Sequence, residues 1–290
     1  MIAVARAREG TARRLQFLRA WSARIGLAVF LFVVGVAFLG PHFAPYSPSA
    51  EPGIPFSTPS KAYPLGIDYV GEDVLSRVLS GGRTVIIFGA LATLLAYAVG
   101  GAIGLLAGYS RTLVDPVLMR AMDVLLAFPP ILFLLVVATT PSGQGHVALV
   151  SAIAIIHLPS IARIVRTAAL ETSVRGYVEA AVARGDRTHV ILRREILPNI
   201  WGPVMADAGP RFTVSILLVA AVNFLGLGPA PPTADWALMI SENRIGITIN
   251  PWAVVAPALL IAALTVSLNV VADAVAHSLG KSVDVETLRR

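Results

Sequence analysis

The sequence predicts an all-α integral membrane protein of about six transmembrane helices, interrupted on its cytoplasmic side by a helix-turn-helix. Three observations carry this expectation. Of 290 residues, 56% are hydrophobic and only 14% charged, with a mean hydropathy of +0.75, far more apolar than a soluble domain of this length. Six apolar stretches approach the roughly 20 residues that a helix needs to cross a bilayer. Between the fourth and fifth, the chain turns polar and basic for about fifty residues, from Arg163 to Arg211, while keeping a helical pattern.

The spans are expected near 21–40, 84–108, 117–138, 145–163, 212–228 and 252–276. The first follows a basic segment, as a signal peptide would. It ends at Gly40-Pro41 without a small-x-small cleavage site, so an uncleaved helix is expected. Placing the N-terminus inside assigns to the cytoplasm the arginines from Arg6 to Arg24, Arg111 and Arg120, the cluster from Arg163 to Arg211, and Lys281, Arg289 and Arg290. Outside remain only Lys61, Arg77, Arg83 and Arg244, so both termini are expected in the cytoplasm of a multi-pass protein.

Residues 41–64 contain seven prolines, which forbid helix and strand and predict an extended external spacer. From Gly66 to Gly82, Val70, Val74, Leu75, Val78 and Leu79 recur at helical spacing among Asp68, Glu72, Asp73 and Arg77, predicting a short amphipathic helix along the outer interface. In the second span, Gly100 and Gly104 make a small face for close helix packing. Phe128-Pro129-Pro130 predicts a kink in the third.

In the basic interruption, one helix is expected from Ser173 to Arg184, broken by Gly185; Asp186 can cap a second that runs to Leu197 and stops at Pro198. Ala180, Ala181 and Ala183 leave room for docking, and Val190, Ile191, Ile196 and Leu197 form an apolar face that something must cover.

Tyr177-Val178-Glu179-Ala180-Ala181, Gly185 after three more residues, and Leu197-Pro198-Asn199 together resemble the EAA loop of bacterial ABC importer permeases. Ala44-Pro45-Tyr46-Ser47-Pro48, Pro64-Leu65-Gly66-Ile67-Asp68 and Asp73-Val74-Leu75-Ser76-Arg77 resemble the second permease subunit of the dipeptide and oligopeptide branch. So do Asp123 to Pro129 and Phe224 to Gly228.

The resemblance implies a type I importer permease: a tail, first helix and Pro-rich loop over 1–83, a five-helix core over 84–280, and a C-terminal tail over 281–290. Residues 173–199 would be the coupling element seated in an ATPase subunit, with Glu179 setting its first helix against the core, Gly185 bending it and Pro198-Asn199 returning the chain to the membrane. The implied partners are a second homologous permease in a heterodimer, one or two cytoplasmic ATPases, an extracytoplasmic solute-binding protein and membrane lipid, with no nucleic acid. The implied place is the bacterial plasma membrane. Departures from the family pattern are Glu195, where a basic His is usual, Val219-Ala220-Ala221-Val222-Asn223 in place of Glu-Ala-Ala-Leu-Ser, and a last helix that keeps Asn269 and Asp273 without the charged pair that follows.

No catalytic or metal-binding role is expected. The chain has no cysteine and no His-Glu-x-x-His motif, and Gly280-Lys281-Ser282 has Val275 where a phosphate loop needs glycine. ATP and Mg are thus expected on the partner ATPase, with no cofactor on this chain. An ion-coupled carrier would need ionisable groups at mid-membrane, where the predicted spans hold only Asp123 and Asp273 near their ends. A permease for nickel chelates or another small solute stays open. Candidate pathway residues are His157, Asn223, Asn269 and Asp273, each equally able to bond between helices.

Overall fold

The computed structural model describes residues 21–110, 112–140, 145–228 and 233–287, with side chains through Ala276. Five helices are long and apolar enough to span: α1 (Trp21–Leu39), α3 (Arg83–Tyr109), α6 (His146–Ser173), α9 (Trp201–Phe224) and the first part of α11 (Trp252–Thr287). The third predicted span is two helices, α4 (Val114–Leu126) and α5 (Pro130–Thr139), which meet at 79°. The expected kink is thus a break: Pro129 and Pro130 supply no N–H, and α5 restarts with Pro130 in its first turn.

Glycine sets the closest helix contacts. A Cβ on Gly104 would meet the Ala162 carbonyl at 2.5 Å, one on Gly108 the Arg166 carbonyl at 2.6 Å, and one on Gly100 the Leu158 carbonyl at 3.2 Å. The small face of α3 therefore seats its backbone directly on α6. On the other side α9 packs between α3 and α11, where Gly209 admits Ala272, and α1 lies on α11 through Gly26 against Val270. One apolar core, including Val85, Ile153, Ile216 and Leu264, fills the bundle; a second, including Ile161, Val165 and Ala169, lies toward the end of α6. Outward-facing residues such as Phe32, Leu94, Leu259 and Val266 remain exposed, as lipid permits.

Two expectations about the outer segment are corrected. The short helix expected there is present as α2 (Val74–Ser80), with Asp73 capping its start and accepting from the Ser76 N–H at 2.9 Å. Before it, Gly66 (φ 75°) and Gly71 (φ 106°) turn the chain into a knot closed by bonds from Asp68 N–H to the Glu72 carbonyl and from Val74 N–H to the Gly66 carbonyl. Its charged residues do not lie in a solvated interface: Asp68, Glu72, Asp73 and Arg77 are all buried. The proline-rich segment is likewise no loose spacer, since Tyr46 N–H donates to Ser76 Oγ, and Phe56 N–H to the Asp68 carbonyl.

A short helix between α9 and α11, α10 (Trp236–Asn243), is strapped onto this knot. Arg77 pairs with Asp68 at 2.7 Å, with Glu72, and with Glu242 of α10 at 3.2 Å. Tyr69 Oη donates to Glu242 and its N–H to Asn243 Oδ1; Trp236 Nε1–H donates to the Val78 carbonyl at 2.7 Å.

Two boundaries also shift. The last helix continues through residue 287, past the expected start of a tail at 281. The remaining tail residues, 288–290, and the N-terminal tail with Arg6, Arg8, Arg13, Arg14 and Arg19 lie outside the described residues, as does Arg111.

Candidate functional site: the segment between α6 and α9

At about 1.5 Å per residue, the 28 residues of α6 span about 42 Å, more than a hydrocarbon core of about 30 Å. The helix thus carries the chain beyond the membrane to Ser173, ten residues past the predicted end of the span. There α7 (Gly176–Ala183) begins, three residues later than expected. It closes in a Schellman arrangement: Gly185 N–H donates to the Val182 carbonyl at 2.9 Å and Asp186 N–H to the Ala181 carbonyl at 3.1 Å. Gly185 adopts φ 80°, and a Cβ there would touch nothing within 4 Å, so glycine is required for its conformation and not for space. The expected bend is present.

The second arm differs from the expected single capped helix. One α-helical turn, α8 (Thr188–Ile191), widens into a π turn over Leu192–Ile196 and tightens into a 3₁₀ turn at Leu197–Asn199. Asp186 does not cap it; its carboxylate accepts from Arg184 Nη2 at 2.9 Å. Pro198, in the 3₁₀ turn, and Pro203, early in α9, fall where a missing N–H costs little, so the chain passes straight into α9 eleven residues before the predicted fifth span.

The apolar face that needed a cover finds it within the chain. Val178, Ala181, Ile191 and Ile196 are buried against Val165, Ala168 and Ala169 of α6, with Leu197 beside them. Val178 and Ala181, not Glu179, press α7 on the core. Glu179 and Ala180 are exposed, as are Pro198 and Asn199, whose Nδ2 donates to the Glu195 carbonyl at 2.6 Å. Glu195 lies 3.9 Å from Arg184, on the opposite arm. The outward surface carries Tyr177, Val182, Arg187, His189, Arg193 and Arg194. A cavity of about 740 Å³ separates this segment from the inner corner of α3 and α4, with Tyr109 and Val114 on one wall and Glu179 and Leu192 on the other. Two ion pairs tie α4 to α6: Arg166 forks onto Asp115 at 2.5 and 2.6 Å, and Arg163 reaches Asp123 at 2.6 Å.

The four candidate pathway residues do not converge. His157 is buried, with Nε2 3.0 Å from Ser215 Oγ. Asn223, at the far end of α9, donates to Asp235 Oδ2 at 2.9 Å; Asn269 accepts from Thr213 at 3.2 Å; Asp273 is exposed on α11. Sequence reasoning missed the pair Asp207–Arg211 because the fifth span is expected only from 212, whereas the helix long and apolar enough to cross begins at Trp201 and includes both residues. Two ionisable groups are thereby added to those expected within the fifth span. Among the described residues no group of three or more His, Asp or Glu is placed to hold a metal ion.

Residues 100–284 match the family described as binding-protein-dependent transport system inner membrane component, and residues 11–59 match the N-terminal TM domain of oligopeptide transport permease C. The chain is 35% identical over 269 residues to a glutathione transport system permease protein of Pectobacterium atrosepticum, covering 91% of this chain and 88% of that one. It is 34% identical to a di/tripeptide transport system permease protein of Pseudomonas aeruginosa, covering 88% and 86%. Among solved structures it resembles the MetNI methionine ABC transporter in inward-facing form, with a TM-score of 0.57 at 17% identity over 71% of this chain and 96% of that one. An amino acid ABC transporter gives 0.52 at 20% identity over 68% and 91%. On sequence and fold together, this chain belongs to the family of binding-protein-dependent transport system inner membrane components, the permeases of ABC importers.

Proposed function

We propose that the chain is one of two homologous permeases in an importer for di- and oligopeptides, and that residues 176–199 transmit ATPase closure to the membrane helices. Permeases of this family are non-catalytic multi-pass subunits of the inner membrane, which work with a separate ATPase and a solute-binding protein. Both termini and residues 176–199 then lie in the cytoplasm, the two permeases pair as a heterodimer in the membrane, and ATP with Mg binds one or two ATPase subunits. Alternating access then follows: the binding protein delivers solute outside, and closure of the ATPases pushes the coupling segment and switches which side is open.

One observation supports this above the others. The two arms around Gly185 bury their apolar residues on α6 and turn a basic, partly aromatic surface outward. Such a segment moves with α6 and α9 as one body while leaving its outer surface for a partner. The names of the relatives favour peptides over nickel chelates as solute.

The test is uptake of a labelled dipeptide by the reconstituted transporter. Gly185→Val forces a branched side chain into φ 80°, costing about 1–2 kcal/mol or refolding the bend. Glu179→Lys reverses the charge on the exposed face of α7. Both variants are expected to insert normally and to hydrolyse ATP with at least about a tenfold loss of uptake per ATP, equivalent to roughly 1.4 kcal/mol of lost coupling. Unchanged uptake in both would remove the coupling role.

A further inference from the structure

Asp207 and Arg211 stand one helical turn apart on α9. Arg211 Nε donates to both carboxylate oxygens, at 3.2 and 3.1 Å, and Tyr97 Oη of α3 donates to Oδ2 at 2.7 Å. Arg211 is the eleventh of 24 residues, about 15 Å along a helix that rises about 1.5 Å per residue, and so lies well inside a helix long and apolar enough to span. A charge at that depth is expensive unless it faces protein or water, and its presence there marks function by default.

The surroundings narrow the role. One turn further along α9, Ser215 is closed in by Thr93 and His157, at 2.8 and 3.0 Å, and neither Ser215 nor His157 is accessible beyond 2%. The side chains of Arg211 and Asp207 are 24% and 14% accessible. Within this polar seam between α3, α6 and α9, access is thus concentrated at the ion pair. Among the described residues, the hydrogen bonds of Arg211 go to Asp207 through Nε alone. The terminal nitrogens of the guanidinium form the edge that matches a carboxylate in a bidentate pair.

We propose that Arg211 is a contact for solute carboxylates within the transport path, with Asp207 and Tyr97 positioning its side chain. The inference rests on the importer reading, since peptides carry a terminal carboxylate. Asp207 neutralises the arginine between transport events, and it competes with the solute for the same cation. The contact is therefore weak by construction, as a site must be if solute is to leave it.

The chain contains no cysteine, so Arg211→Cys introduces the one thiol of this subunit. The probe is a negatively charged, membrane-impermeant methanethiosulfonate, applied to the complete reconstituted transporter whose partner thiols have been removed. Because Arg211→Cys orphans a carboxylate, the double variant Asp207→Asn/Arg211→Cys is measured beside it. The expected result is modification during ATP turnover, slowed about fivefold or more by a transported dipeptide. Alongside, Arg211→Lys, which keeps the charge but loses the bidentate edge, should lose less uptake than Arg211→Gln, which loses about tenfold, the scale of one charged hydrogen bond, with ATP hydrolysis preserved in both. A thiol that stays unreactive in both variants while ATP is hydrolysed would overturn the proposal, placing the residue in packed protein or lipid. Equal rates with and without peptide would overturn it as well, leaving a wet site that solute does not touch. Protection supplied by the second permease alone would assign the arginine to a subunit interface instead. Failure of the wild-type transporter to take up peptide would sink the importer reading, and the same assay reports it separately.

Discussion

Arg77 shows how an outer layer can be fastened by one side chain. Its guanidinium meets Asp68, Glu72 and Glu242 with all four groups almost fully buried, so three carboxylates share one cation. Burial pushes the Asp68 and Glu242 carboxyls up from their ordinary range, and the Arg77 charge only partly pulls them back. Asp235, which caps α10 by accepting from the Ala237 and Leu238 N–H groups, is pushed by burial from 3.8 to about 6. A carboxyl with a raised folded pKa favours the folded state while protonated. Its contribution is complete below about 4 and is lost as pH rises through about 6. Thermal unfolding in detergent should therefore show stability falling across this window, with Asp68 and Glu242 adding to the fall in the same direction. Asp235→Asn should flatten part of it. The new amide keeps the cap, and Asn223 can turn its buried, unpaired Oδ1 towards it. An unaltered pH profile in the variant would show that Asp235 stays charged throughout.

Among the elements, α3 and α6 were the more legible and α9 the less. The Gly100–Gly104 spacing announced a close contact, and the structure delivers it onto α6. Gly104→Ala would place Cβ 2.5 Å from a backbone carbonyl that cannot swing away, whereas a Cβ on Gly101 meets nothing within 4 Å. Gly104→Ala should reduce the yield of monodisperse protein in detergent gel filtration severalfold, while Gly101→Ala should leave it near wild type. Equal yields would mean that α3 and α6 do not depend on this approach. The start of α9 was hidden for a physical reason. Pro203, Asp207, Pro210 and Arg211 lower the apparent hydropathy of its first half, yet Pro203 falls in the first turn and Asp207 pairs with Arg211 Nε. The outer knot was misread in the opposite sense: charges at helical spacing signalled a solvated face, but Gly66 and Gly71 fold that segment so that the charges meet inside. In residues 176–199 the Gly185 bend could be read directly, because few residues but glycine end a helix at positive φ. The widened second arm could not, since neither the π turn nor the 3₁₀ turn leaves a composition signal.

For the whole molecule, the apolar spans define a bundle that many kinds of membrane protein could share; the segment between α6 and α9 is where the proposed coupling to an ATPase would act. Glycine seams join α3 to α6 and α9 to α11, and two ion pairs tie α4 to α6, so under the proposed coupling a push on the outward surface of residues 176–199 reaches several helices at once. The account therefore requires that this segment and the outer knot meet different partners on opposite sides of the membrane. The most direct measurement is photocrosslinking in the assembled transporter from two single positions, Val182 in α7 and Ile54 in the outer loop, which are 55% and 78% exposed. The predicted result is an adduct with the ATPase from position 182 and none with it from position 54. An ATPase adduct from position 54, or its absence from 182 in a complex that transports, would contradict the account.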